Sequence, residues 1–312
     1  MNQENEVLSE NQAPETSVPP EKKAKKKHIR SGREYKYQPY PHAVVVVALA
    51  FLLVPLYIMT ITSFMSNVES QEAQFHWWPR LGFTSKWYES ALTQKVGSIN
   101  FIIAFKNTMM MYLPSVIIGV LVSAMSAYAF AKIDFKLSKP MFAILLATMT
   151  LPNSLNTIVS YLIFDYIYWT DTPLPIMIPR MMGGISCVFF LRQYYMGVPD
   201  DIVGAAEIDG LNEIGVFTRI MLPIGMPAIF AQFMLTFIGA YNDYLGPLLY
   251  LSDARLWTMA LLIAKYGDNG FIQLYAQKMA GAVVGMIPLV VLYFVAQKYI
   301  LKGISITSGL KG

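Results

Sequence analysis

The sequence predicts an all-α membrane protein with six transmembrane helices. Three observations lead there. Of 312 residues, 55% are hydrophobic and only 14% charged, against about 25% charged in soluble domains. The apolar residues gather into six runs, each near the roughly 20 residues a helix needs to cross a hydrocarbon core of about 30 Å. None of the runs shows the short alternating pattern of a membrane barrel, and hydrocarbon offers the backbone no hydrogen-bond partner, so each run must be helical.

The same figures exclude several functions. Too few charges are present to coat a soluble enzyme of this length. Cys187 is the single cysteine, so no disulfide can form. His28, His42 and His76 lie far apart with no cysteine partner, which argues against a metal site. No Gly-x-x-x-x-Gly-Lys-Ser/Thr loop occurs, and no nucleophile–base set is plausible. The chain is therefore expected to be no enzyme, to carry no catalytic residue and to bind no cofactor itself.

Residues 1–36 form a tail of different material. Met1–Pro20 is polar and expected to be disordered. Lys22–Lys27 holds five lysines, a topology signal that also attracts anionic lipid; no aromatic platform accompanies it, so no nucleic-acid role is expected. No signal peptide is expected, since the first apolar run begins only after residue 42 and continues as a full span. Residues 37–312 form the six-span domain. The spans are His42–Phe64, Ala104–Ala129, Met141–Phe164, Pro175–Tyr194, Met226–Tyr250 and Ala282–Leu301. With the tail inside, and residues near a span's end counted to that side, sixteen of the 24 Lys and Arg residues fall on the inner side, seven on the outer, and Arg180 within a span. That bias predicts a multi-pass protein of a prokaryotic cytoplasmic membrane with both termini cytoplasmic. Trp77, Trp78 and Trp87 suit the opposite membrane–water boundary. Gly119, Ser123, Ala124, Ser126 and Ala127 in the second span, with Gly281 and Gly285 in the sixth, permit close helix approach.

The inner loop at 197–223 is the most informative stretch. Pro199 followed by Asp200 and Asp201 predicts a helix start, because proline fits the first turn and the acids face the positive dipole end. Gly210 predicts its stop. Asn212 caps a second short helix, in which Ile214, Phe217 and Met221 share a face and Pro223 ends the segment. Ala205 and Ala206 leave a nearly bare surface that another backbone can approach, with Ile202 and Phe217 as anchors. Residues 200–219 carry five acids and one arginine. That balance disfavours docking on anionic lipid or DNA and favours a knob for a protein groove.

This loop resembles the coupling-loop signature of inner-membrane subunits of ABC importers, which reads Glu-Ala-Ala, then Asp-Gly, then a proline. Ala205, Ala206, Asp209, Gly210 and Pro223 match; Gly204 stands where the family has Glu, and Glu207 does not replace it. The run from Tyr241 through Asn242, Asp243 and Pro247 to Trp257, and the tail from Lys302 to Gly312, are similar to maltose-type sugar permeases. The resemblance implies an ABC importer permease fold with a cytoplasmic coupling helix. It implies a subunit that imports sugars, oligosaccharides in particular. Gly204, Ala205, Ala206, Glu207, Asp209, Gly210, Phe217 and Pro223 would then form the ATPase-coupling loop. The implied partners are a second homologous permease subunit, a dimer of cytoplasmic ATPase subunits holding ATP and Mg, an extracellular or periplasmic sugar-binding protein, and the lipid bilayer. A permease of the same machinery for peptide, polyamine or phosphonate is the alternative. An ion-coupled carrier fits less well, since one acid, Asp243, lies within a span and no internal repeat is evident.

Arg180 and Asp243 are ionisable groups within the expected spans. Each would cost about 2.5–3.5 kcal/mol unpaired at mid-membrane, so a partner or wet cavity is expected. Both lie about 8–10 Å from the outer end of their spans at 1.5 Å per residue, where they could pair or line the substrate path. Tyr241 and Asn242 are further candidates for that path, as an aromatic face and an amide suited to sugar rings and hydroxyls.

Overall fold

The computed structural model describes residues 39–309, except 73, 75, 94, 152 and 269–272. The tail 1–36 lies outside the described residues. Among them only α, 3-10 and π helices and two isolated β-bridges occur. The chain divides into two units, Met1–Phe51 and Leu52–Gly312.

Helix α1 (Pro39–Ser63) opens the described chain. Within the first unit its apolar side chains from Val44 to Phe51 are exposed, as suits a helix bathed in lipid. The second unit begins with its last turns, which Ser63 and Tyr88 tie to α2 (Lys86–Thr93) through their hydroxyls. Trp77 and Trp78 are exposed beside them, while Trp87 donates its indole N–H to the Met65 carbonyl.

The centre of the second unit is α3 (Phe101–Lys132), a helix of 32 residues capped by Asn100, whose side chain accepts the Ile103 amide. Its buried residues recur at helical spacing: Ala104, Thr108, Met111, Tyr112, Ser115, Gly119, Ser123, Ala127. Then follow α4 (Ser138–Thr148), α5 (Asn153–Tyr166), α6 (Leu174–Met181), α7 (Ile185–Met196), α8 (Asp200–Ile208) and α9 (Glu213–Val216). After a π turn at Phe217–Met221 come α10 (Leu222–Tyr241), α11 (Leu245–Tyr250), α12 (Met259–Lys265) and α13 (Tyr275–Gly309). Helix α3 packs on α6, α7, α10 and α12; α13 covers α10 and α12.

Glycine permits the tightest of these contacts. A Cβ at Gly119 would lie 2.2 Å from the Arg180 carbonyl oxygen, and one at Gly285 would lie 2.3 Å from Ile263. Both positions need a bare backbone for the neighbouring helix to approach.

Among the described residues, five stretches are long and apolar enough to cross a bilayer: His42–Ser63, Phe101–Lys132, Leu174–Met196, Glu213–Tyr241 and Tyr275–Gln297. The expected third span, Met141–Phe164, is not one helix. It breaks between α4 and α5, where Pro152 lacks an amide hydrogen and disfavours helix at the residue before it. The fourth is interrupted between α6 and α7 at Met182–Gly184, with Gly183 in the left-handed region at φ 89°. The fifth ends at Tyr241, not Tyr250, and begins well before Met226.

Candidate functional site

Two places carry polar groups that membrane helices ordinarily lack. The first is the bend at 197–223. Pro199 precedes α8, whose first turn holds Asp200 and Asp201. Gly210 turns the chain with φ 85°, a conformation that disfavours any side chain. The Asn212 carboxamide oxygen accepts the Gly215 amide at 2.8 Å and starts α9. The elbow of two short helices is therefore as the sequence indicates.

Its faces differ from expectation in three ways. Pro223 does not end the segment: the helix continues into α10, with the π turn at Phe217–Met221 just before it. A wider turn absorbs the missing amide hydrogen and the ring without breaking the helix. Phe217 is only 9% exposed and its ring lies 5.6 Å from that of Tyr128, so it anchors the elbow to α3 and is not free for another protein. Ala206 is 5% exposed and packs inward, while Ala205 faces out. The outward apolar side chains are Ile208, 89% exposed, and Ile214, 73% exposed, with Ile202 less so at 38%. Ile208 was not singled out from the sequence. Its signal was available, since an isoleucine three residues beyond Ala205 extends the same helical face. Gly204, Glu207 and Asp209 are at least partly exposed, and a Cβ at Gly204 would meet open space.

The elbow is fastened to α3. Lys132, nearly buried, donates to the Val198 carbonyl and pairs with Asp200. The Tyr128 hydroxyl donates to Glu213 at 2.8 Å. Arg192 of α7 donates to the Phe130 carbonyl at 3.0 Å and lies over the Phe142 ring.

The second place is a cavity of about 350 Å³ lined by Gly119, Ser123, Arg180, Thr236, Asp243 and Tyr250, among others. The structure brings Arg180 and Asp243 together: the guanidinium Nη2 donates to the carboxylate at 3.3 Å. Arg180 also stacks over the Tyr112 ring, and the Tyr112 hydroxyl donates to the same carboxylate oxygen at 3.3 Å. Asp243 lies in the turn between α10 and α11, where its other oxygen accepts the Gly246 amide. Each charge thus has a partner of opposite sign and a polar neighbour, which lowers the penalty of burial.

Tyr241 and Asn242 are elsewhere. Tyr241 is buried and its hydroxyl donates to the Gly285 carbonyl at 2.8 Å, so the hydroxyl fastens α10 to α13. Asn242 donates to the Ile238 carbonyl and, together with Tyr241, Tyr244, Lys278 and Met286, lines a separate cavity of about 450 Å³. At the Phe101 end of α3, Asn107 donates to the carbonyls of Arg255 and Trp257, and Thr108 accepts the Met259 amide. There the Arg255 guanidinium clasps Asp253 and holds its carboxyl below the usual range.

Residues 90–306 match the family model described as binding-protein-dependent transport system inner membrane component. The chain belongs to that family. Among relatives of this permease is the arabinooligosaccharides transport system permease protein AraQ of Halalkalibacterium halodurans, 31% identical over 67% of this chain and 74% of the relative. AraQ of Bacillus subtilis is 29% identical over a similar share, 67% of this chain and 73% of its own. The sn-glycerol-3-phosphate transport system permease protein UgpE of Pectobacterium atrosepticum is 27% identical over 85% of this chain and 95% of its own. Among solved structures, the permease fold is shared with a chain of a bacterial ABC transporter involved in the import of alginate. The TM-score is 0.69 at 18% identity, covering 85% of this chain and 98% of that one. The bacterial alginate ABC transporter in complex with an alginate pentasaccharide-bound periplasmic protein gives 0.58 at 15% identity, covering 82% and 92%. The permease is an integral, multi-pass membrane component of a transport system and not an enzyme.

Proposed function

We propose that this permease forms half of the path of an ATP-driven importer for sugars, oligosaccharides in particular. The cargo class rests on the arabinooligosaccharide permeases among its relatives. The drive rests on the elbow at 199–223, which presents Ala205, Ile208 and Ile214 on an acidic surface while its other face is fastened to α3. Exposed isoleucines beside carboxylates suit a protein groove better than an anionic membrane surface.

In this reading two cytoplasmic ATPase subunits hold ATP and Mg and receive the elbow. A second, homologous permease chain completes the path, since the helices of one chain leave broad apolar faces uncovered. An external sugar-binding protein delivers cargo. Closure of the ATPase pair displaces the elbow, and the membrane helices alternate between inward-open and outward-open states. The Lys and Arg bias supports a cytoplasmic position for both termini and for the elbow.

The test is capture of the ATPase subunits by the tagged permease, with uptake of labelled arabino-oligosaccharide by the assembled transporter in proteoliposomes. Ile208→Glu with Ala205→Glu should lower capture at least tenfold and abolish uptake, because both side chains face outward. Undiminished capture would refute the docking assignment. Uptake of glycerol phosphate in place of the oligosaccharide would keep the machinery and replace the cargo.

A further inference from the structure

Helix α3 touches three levels of this permease. At its last turns Tyr128 and Lys132 hold the elbow, through Glu213, Phe217, Val198 and Asp200. In its middle Tyr112 holds the Arg180–Asp243 pair, and the Ser123 hydroxyl accepts the Gly184 amide at 3.0 Å, pinning the break between α6 and α7. Near its start Thr108 and Asn107 hold the segment before α12, through the Met259 amide and the carbonyls of Arg255 and Trp257. Thr108 and Lys132 are about 36 Å apart along the axis at 1.5 Å per residue. One helix therefore joins the elbow to the segment before α12.

We infer that Tyr128 and Lys132 are positioning residues that clamp the elbow to α3, so that nucleotide-driven displacement of the elbow moves residues 255–259 at the far end. The inference rests on the proposed docking of the elbow and adds which helix carries the motion. The clamp is suited to it physically. Lys132 is almost fully buried, so its ammonium depends on the Val198 carbonyl and Asp200 for the hydrogen bonds that water would otherwise supply. Tyr128 combines a ring contact with a charge-assisted hydrogen bond to Glu213, which fixes distance and direction together. Two contacts on successive turns of α3, one to α8 and one to α9, resist rotation as well as separation. The far latch is equally specific: the Met259 amide is bonded to the buried Thr108 hydroxyl and not to its own helix.

Amide hydrogen exchange in the assembled transporter, in nanodiscs with and without Mg-ATP, tests this. In the native protein, Mg-ATP should change exchange both in 200–208 and in 255–259. Tyr128→Phe removes one oxygen and leaves the ring; Lys132→Met removes the ammonium. In either variant the change at 255–259 should shrink at least threefold, while captured ATPase and the change at 200–208 stay native. Thr108→Val should lose the far response alone. A far response of native size in Tyr128→Phe, or none in the native protein, overturns the inference. If Lys132→Met fails to accumulate, Tyr128→Phe decides. Failure of the native permease to capture ATPase overturns the docking reading and the clamp with it; native capture with unaltered variants overturns the clamp alone.

Discussion

Tyr195 carries a buried hydroxyl with no hydrogen-bond partner, wedged against α10 where Gly225 leaves room. A Cβ at Gly225 would lie 2.6 Å from that oxygen. Tyr195→Phe removes an unsatisfied polar atom and keeps the ring, so thermal unfolding in detergent should show a gain of about 1–2 kcal/mol. Gly225→Ala overpacks the same point and should cost about 1–3 kcal/mol, with or without the hydroxyl, because the new Cβ would also lie 2.8 Å and 3.0 Å from ring carbons that phenylalanine keeps. The Arg180–Asp243 pair yields to the same logic. Asp243 also accepts Tyr112 and the Gly246 amide, so Asp243→Leu strands three donors, where Arg180→Met removes the counter-charge but leaves each carboxylate oxygen a hydrogen-bond donor. Asp243→Leu should therefore be the more damaging, and the double variant should cost less than the two together by about 0.5–3 kcal/mol. Strict additivity would mean that the pair contributes nothing as a pair. The sequence places both charges in the membrane and at similar depth, which leaves pairing and lining of the path both open. It could not show that Tyr241 turns its hydroxyl to Gly285, because the period of a helix gives direction only once the neighbouring helices are known.

At the scale of elements, α8 was legible because its signals are local: a proline start, acids in the first turn and a glycine at φ 85° to stop it. Spans interrupted by short breaks were not. Averaged hydropathy passes smoothly across Pro152 and across Gly183–Gly184, although proline and paired glycines were the visible warnings. Spacing groups Ile214, Phe217 and Met221 on one face of the second short helix; in the structure Phe217 and Met221 are buried while Ile214 faces out, because a 3.6-residue period tells which residues share a face only approximately and not which face the neighbouring helix covers. Gly204 offers a test of α8 itself. It sits in the middle of a nine-residue helix with open space where a side chain would go. Gly204→Ala should stabilise α8 by about 0.5–1 kcal/mol through lost unfolded-state freedom, read as slower amide exchange across 200–208. Gly204→Glu restores the residue of the family signature and should be tolerated as well, with native capture of ATPase. A loss of capture in Gly204→Ala would show that the bare backbone is itself the contact.

For the whole molecule, α3 sets the scale. Its 32 residues span about 48 Å, beyond the roughly 30 Å of hydrocarbon, so its last turn reaches the polar boundary with Lys132, Lys136 and Lys139 close by in sequence. The elbow is fastened to that turn and must share its side of the membrane. ATP is cytoplasmic, so the drive proposed above requires that side to be the cytoplasm, in agreement with the Lys and Arg bias. The single cysteine makes this measurable: Cys187 is buried and should react slowly with a membrane-impermeant maleimide. New cysteines at two exposed sites, Lys136→Cys before α4 and Lys86→Cys at the start of α2, bracket α3 on opposite sides. In intact cells Lys86→Cys should label and Lys136→Cys should not; after permeabilisation both should. The reverse pattern would put the elbow outside, out of reach of any nucleotide-driven partner, and the clamp on α3 would have nothing to transmit.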